Sequence, residues 1–221
     1  MLKHQFAIVP LSILIFLTSS CLVAGVSKPG SCPDIAYERS VDLKGFKGTW
    51  YLQSVYPPEK IVLYRCQKSD YIFGNSDNPE VKDFQISNED GTVDHRTRTL
   101  ILLSDGQVQS KYDGDSLSLN YKIISVDYEK YVIFYFCNDL YSDRHSENIS
   151  IYTRHLKPSN KVKKGYLNAL KDKGISTKEF VPDLHKDCGG YGESVTKQLK
   201  KLLKELEKQA KKAKKAHRVN C

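Results

Sequence analysis

The stretch Phe46-Lys47-Gly48-Thr49-Trp50-Tyr51 decides the fold of this 221-residue chain, and Trp50 is its only tryptophan. The residues that follow are rich in aromatic and β-branched side chains, and Tyr56-Pro57-Pro58 then gives a turn signal. The stretch therefore predicts a first strand over 48–56, with the tryptophan near its start.

Seven more runs with the composition of strands follow this first one. They cover residues 62–73, 81–88, 92–103, 107–112, 116–125, 130–138 and 147–155. Turn formers such as Ser104-Asp105-Gly106 separate the runs, and no long helical periodicity occurs between Gly48 and Arg154. Eight strands joined mostly by tight turns predict an all-β fold, an eight-stranded antiparallel up-and-down barrel. Such a barrel has no exposed sheet edges and has room for one small ligand.

A helix at about 161–173 is expected to flank this barrel. Val162, Tyr166 and Leu170 recur at helical spacing, and Gly174 follows as a stop signal. The run 131–136 is apolar on both faces of a strand. One face of that strand can therefore line the barrel while the other packs under the helix.

The first 25 residues have the three parts of a secretory signal peptide. Lys3 and His4 precede an apolar run over 6–17, and the small residues Val23-Ala24-Gly25 end the segment. The apolar run is too short for a stable membrane anchor. We therefore expect cleavage after Gly25 and a secreted, extracellular protein.

Five cysteines remain after this cleavage. They are Cys32, Cys66, Cys137, Cys188 and Cys221. Export places them in an oxidising compartment, where thiols pair. Four cysteines allow three connectivities, among which the spacing does not choose, and the fifth is left over.

Two of the stretches above resemble motifs of the lipocalin family. The segment around Gly48 and Trp50 is similar to the G-x-W motif that opens the lipocalin barrel, and Ile149-Ser150-Ile151-Tyr152-Thr153-Arg154 is similar to the last strand, which ends in an arginine. The resemblance implies that Trp50 closes one end of the barrel and that Arg154 packs over its ring. Arginine stacks well on tryptophan, at about 0.5–2 kcal/mol.

The cysteines extend the resemblance to arthropod lipocalins, both the insect bilin-binding type and the salivary triabin-like type. In order, four cysteines match those of these proteins, and the resemblance implies the disulfides Cys32–Cys137 and Cys66–Cys188. The function it implies is to bind and carry a small hydrophobic ligand, such as a bilin pigment or a fatty acid. The alternative is a salivary-type effector that sequesters a host mediator or inhibits a host protein.

The ligand is expected in the barrel cavity. If Trp50 faces inward, alternation places every second residue after it on the same side, and one face of the run 116–125 is apolar. In the run 130–138, alternation leaves open whether the odd-numbered or the even-numbered residues face inward. The candidate lining residues are Leu52, Ser54, Tyr56, Leu117, Leu119, Tyr121, Ile123 and Tyr135.

The sequence contains no motif typical of catalysis, so neither an enzyme nor a metal site is expected. His95 could be interpreted as a haem ligand, but its charged neighbours Asp94 and Arg96 favour a solvent-facing position on a strand. Asn148 begins the Asn-Ile-Ser triplet of a glycosylation sequon, which export makes usable.

The positive charge of the chain is concentrated after the barrel. Residues 192–221 hold nine Lys and one Arg against three Glu, whereas residues 26–191 are close to neutral. Apolar residues at helical spacing from Val195 to Ala213 predict a basic amphipathic helix in this tail. The tail can rest on the barrel, bind an anionic membrane surface or glycan, or form a dimer through its Leu stripe or Cys221. The domains are thus 1–25, 26–191 and 192–221.

Overall fold

The computed structural model describes residues 27–57, 63–141, 143–182, 184, 185 and 188. The predicted signal peptide, the predicted tail helix and Cys221 lie outside the described residues. No helix within the described ranges is long and apolar enough to cross a membrane.

Eight long strands and one α-helix make up the described fold. The strands are β2 (Gly48–Tyr56), β3 (Tyr64–Ile72), β4 (Glu80–Ser87), β5 (Val93–Leu102), β6 (Val108–Tyr112), β7 (Ser118–Asp127), β8 (Tyr131–Leu140) and β9 (Arg144–Thr153). The helix α1 spans Asn160–Asp172, and a 3-10 helix spans Leu43–Phe46. Two short strands, β1 (Ser27–Pro29) and β10 (Val181–Pro182), complete the described elements.

The strands close into the predicted barrel. Each strand from β2 to β9 pairs antiparallel with the next in sequence, and β9 pairs back with β2 through Tyr51↔Thr153 and Tyr56↔Ile149. The two short strands pair with strands of this ring, β1 with β9 and β10 with β2. The prediction of an eight-stranded antiparallel barrel with a flanking helix is confirmed.

The two ends of the barrel differ. The 3-10 helix and the turns 73–79, 103–107 and 128–130 lie at one end, which we call the closed end. The turns 88–92, 113–117 and 141–143 lie at the other, which we call the open end. Trp50 is fully buried near the closed end, together with Phe46 and Leu43. Side chains of the closed half therefore form a packed core.

A second core lies outside the barrel, under α1. Tyr166 and Leu170 of the helix pack against Ile133, Ile149 and Ile151 of β8 and β9. The helix begins where Ser159 Oγ accepts a hydrogen bond from the Val162 amide, a standard N-cap. Its end is followed by Gly174, whose φ of +71° suits a glycine after a helix.

Two disulfides hold the terminal segments to the barrel. Cys32 is bonded to Cys137 of β8, and Cys66 of β3 is bonded to Cys188. These are the two pairs that the resemblance implies. They close loops with sequence separations of 105 and 122 residues.

Candidate ligand site inside the barrel

Arg154 seals the closed end below the site. Its guanidinium carbon lies 4.0 Å from the centre of the Trp50 ring, as the resemblance implies. The same group donates hydrogen bonds to the carbonyl oxygens of Tyr128 (2.7 Å), Lys47 (2.9 Å) and Gly45 (2.7 Å). One side chain thus satisfies three backbone carbonyls from two segments of the chain and covers the tryptophan.

Replacing Arg154 with lysine is expected to lower the free energy of unfolding by about 2 kcal/mol, because one ammonium cannot reach three diverging carbonyls or stack in the same way. Urea unfolding followed by Trp50 fluorescence measures this effect. Arg39→Lys is the matched control, since Arg39 also stacks on a ring, that of Tyr37 at 4.0 Å, but is exposed. Equal losses in the two variants would contradict the capping role of Arg154.

A charged pair lies inside the barrel above this core. Arg98 of β5 donates from Nε to Asp83 Oδ2 of β4 at 2.7 Å, and both side chains are largely buried. Arg98 Nη1 also donates to Ser110 Oγ at 3.2 Å. Asp83 accepts further hydrogen bonds from Ser69 Oγ (2.5 Å) and from Tyr112 OH (3.0 Å). Four neighbouring strands therefore contribute to one buried polar centre.

Electrostatics keeps this centre charged. Burial lowers the pKa of the Arg98 guanidinium, but nearby negative charge, first that of the Asp83 carboxylate, outweighs it and raises that pKa well above its ordinary value. Burial, followed by the negative charge of Asp83, raises the pKa of the Tyr112 hydroxyl. The phenols around Arg98 thus remain neutral hydrogen-bonding groups at physiological pH.

A cavity of about 60 Å³ borders this centre. Its lining residues are Arg98, Leu100, Val108, Ser110, Tyr112, Tyr121, Phe134, Ser150 and Tyr152. The wall from β5 and β6 carries the arginine, the wall from β7 to β9 carries most of the aromatic rings, and both walls carry hydroxyl groups. The cavity is thus amphipathic, and it has room for a group the size of a carboxylate.

The structure corrects the inward face that was expected for the first long strand. Leu52 lies inside, but the pairing of β2 with β9 shifts register between Leu52 and Ser54. This bulge reverses the alternation. Ser54 consequently donates to the carbonyl oxygen of Val181, and Tyr56 packs in the outer core. Neither residue lines the cavity.

Tyr135 is the second correction. It packs in the outer core with Ile133 and donates from its hydroxyl to Glu147 Oε2 at 3.2 Å. The alternation left open for this strand is resolved in favour of the even-numbered residues, since Val132 and Phe134 belong to the inner core. The helix packs on the opposite face of β8.

The four lining residues expected in the run 116–125 lie in different surroundings. Tyr121 lines the cavity, and Ile123 is buried in the packed inner core. Leu119 shares the inner face through its pairing with Ser110, but it is partly exposed near the open end. Leu117 precedes the strand and is 77% exposed, so its expected place in the cavity is wrong.

Two other polar candidates do not join the site. Asn148 is buried in β9, where its Nδ2 donates to the carbonyl oxygen of Tyr56 at 2.8 Å. A glycan on that nitrogen is incompatible with this position, so the expected glycosylation does not suit the folded chain. His95 is exposed and contacts the ring of Phe84, in keeping with a solvent-facing position.

Sequence reasoning missed Arg98 and Asp83, which define the polar centre. A signal was present, because Val81, Asp83, Arg98 and Leu100 fall on alternating positions of adjacent predicted strands. Asp83 shares a strand face with Val81, and Arg98 shares one with Leu100 on the neighbouring strand. An acidic and a basic residue that each share a face with a buried apolar residue are typical of an internal ion pair.

Several solved structures of arthropod proteins have a fold similar to that of this chain. Lobster apocrustacyanin A1 is 21% identical, with a TM-score of 0.62 over 73% of this chain and 92% of that one. Insecticyanin from the tobacco hornworm Manduca sexta is 20% identical, with a TM-score of 0.66 over 74% and 91%. The cockroach major allergen Per a 4 is 17% identical, with a TM-score of 0.59 over 74% and 100%. These similarities show a shared fold.

Family membership follows from the sequence itself. No curated protein matches the chain. A family model described as lipocalin / cytosolic fatty-acid binding protein, however, matches residues 47–187, which is more than half of the 221 residues. This range begins just before Trp50 and includes all eight barrel strands and α1. The chain belongs to the lipocalin / cytosolic fatty-acid binding protein family.

Proposed function

We propose that this protein is a secreted carrier of a small apolar ligand with an acidic group, held inside the barrel. The observation that carries the proposal is Arg98, a buried cation that lines the cavity together with Ser110, to whose hydroxyl its Nη1 donates. Ligand sites combine apolar walls with a few placed polar groups, and arginine is suited to carboxylates. Family membership supports binding as the general function.

The dimensions of the cavity narrow the choice of ligand. Sites that enclose a drug-sized molecule measure about 300–1,000 Å³, whereas this cavity measures about 60 Å³. Only the acidic group fits beside Arg98, so the apolar body must extend towards the open end, past Tyr121 and the neighbouring ring of Phe136. A slender acyl chain, as in a fatty acid, suits this path better than a bilin pigment. The alternative of sequestering a host mediator uses the same cavity.

Binding of a long-chain fatty acid, measured by native mass spectrometry, tests the proposal. We expect the methyl ester to bind about tenfold more weakly, because it lacks the charge that Arg98 recognises. Ser150→Leu fills much of the cavity and should weaken binding of the acid by about tenfold, whereas Ser118→Leu on the outer surface should not.

Two results would overturn this proposal. Equal affinity for the acid and its ester would exclude recognition of the acidic group by Arg98. A visible absorption band in protein purified from its source would instead identify a bilin or another pigment as the ligand.

A further inference from the structure

The turns at the open end expose apolar side chains. Leu117 is 77% exposed and Tyr141 is 98% exposed, and Val93 and Leu140 are also exposed where strands meet these turns. Leu63 adds another exposed apolar side chain just before β3. Exposed apolar groups gathered at one end of a molecule mark an interaction surface. We call these five residues the rim.

The same turns are acidic. The acidic side chains in them are Glu89, Asp90, Asp113, Asp115 and Asp143, and the described residues of these turns include no lysine or arginine. Asp115 is paired with Arg96 of β5 at 3.1 Å. The rim is therefore suited to a partner that is both apolar and basic.

The chain leaves the described fold at this end. Cys188 is bonded to Cys66, which lies near the start of β3, and the Cys66 amide donates to the carbonyl oxygen of Leu184 at 2.8 Å. Just before, Val181 pairs with Val55 near the end of β2. Cys66 and Val55 are both close to the open end. Any segment that follows Cys188 must therefore start beside the rim.

The segment that follows has the complementary chemistry. Residues 192–221 carry a net charge of +7, and Val195, Leu199, Leu202, Leu203 and Leu206 recur at helical spacing. A helix over 195–213 would measure about 28 Å. Eight strands spaced about 4.8 Å apart and tilted about 40° give a barrel roughly 16 Å across. Such a helix is thus long enough to cross the open end.

We propose that residues 192–221 dock across the open end of their own barrel, with the apolar stripe on the rim and the lysines beside the acidic turns. Attachment through Cys188 favours this occupant over a separate partner, because tethering raises the local concentration of the tail at the rim to the millimolar range. Docking itself does not require a bound ligand.

Carbodiimide cross-linking of the full secreted chain, mapped by mass spectrometry, tests the docking. We expect links between tail lysines and Glu89 or Asp113 within monomers, with a yield independent of protein concentration. Lys200→Glu/Lys204→Glu should lower the yield of these links by about threefold to tenfold, whereas Lys161→Glu/Lys164→Glu on the exposed face of α1 should not.

A lower cross-link yield could also follow simply from the loss of reactive lysines, and a charge swap distinguishes that effect from loss of docking. Glu89→Lys/Asp113→Lys should increase amide exchange in the turns 88–92 and 113–117, and combining it with Lys200→Glu/Lys204→Glu should restore protection. Links only between molecules would show that the tail joins two copies and would overturn the proposal. If amide exchange in these turns is equal in all variants and the tail binds anionic phosphatidylserine vesicles, the partner of the tail is a lipid surface and not the rim. Neither readout depends on the identity of the ligand.

Discussion

Replacing Arg98 with methionine is expected to lower the free energy of unfolding by about 3–5 kcal/mol, the largest effect of any single substitution proposed for this barrel. The variant leaves the Asp83 carboxylate in the barrel interior without the cation that donates to both of its oxygens. Ser69 and Tyr112 still donate to Asp83, but two neutral hydroxyl groups do not compensate a buried charge. Urea unfolding measures the loss.

The controls for this prediction distinguish the effect of breaking a buried ion pair from the effect of losing any arginine. Arg96→Met removes the neighbouring pair with Asp115, in which both side chains are about half exposed, and should cost less than about 1 kcal/mol. The double variant Arg98→Met/Asp83→Asn should recover much of the stability, because it removes both charges. An Arg98→Met loss no larger than that of Arg96→Met would contradict the importance of the buried pair.

Removing the Cys66–Cys188 disulfide by a double substitution to alanine is expected to lower the free energy of unfolding by about 4 kcal/mol. The bond closes a loop with a sequence separation of 122 residues, so its loss greatly increases the conformational entropy of the unfolded chain. It also releases the segment that contains Leu184, which packs on Leu52 and Val55. Cross-links between the tail and the rim should then decrease as well.

Thermal and urea unfolding of this variant measure the effect. Cys221→Ser leaves both described disulfides in place and should have the stability of the unmodified chain. The Cys32→Ala/Cys137→Ala variant opens a loop with a sequence separation of 105 residues, so its free energy of unfolding should fall by a similar amount. Its cross-links between the tail and the rim should not decrease. A reductant that leaves the unfolding midpoint of the unmodified protein unchanged would contradict the predicted contribution of the disulfides.

Much of the fold could be predicted from the sequence because the relevant signals are local. Clusters of turn formers such as Ser104-Asp105-Gly106 separate the strands, and helical spacing from Val162 to Leu170 identifies α1. The predicted first strand, 48–56, has the bounds of β2, and the predicted helix 161–173 differs from α1 by one residue at each end. The resemblance added the disulfide pairs, which spacing alone left open.

The candidate site could be predicted only in part, because strand alternation persists only while the register holds. Leu52 and Ile123 face inward as expected, but register shifts follow both residues. After Leu52 the shift moves Ser54 and Tyr56 outward. After Ile123 it moves Ser125 outward, where Ser125 pairs with Ile133 of the outer core. A bulge depends on the partner strand, so the sequence of one strand does not indicate where it occurs.

The sequence by itself determined the strands, the helix, the turns and the neutral barrel with a basic tail, since each depends on residues close together in the chain. Only the tertiary structure decided which strand faces enclose the cavity and that Asp83 and Arg98 meet inside it. It also decided that the disulfide with Cys66 holds Cys188 at the acidic open end. These outcomes depend on pairings between distant segments, whose register and closure are set by packing of the whole barrel.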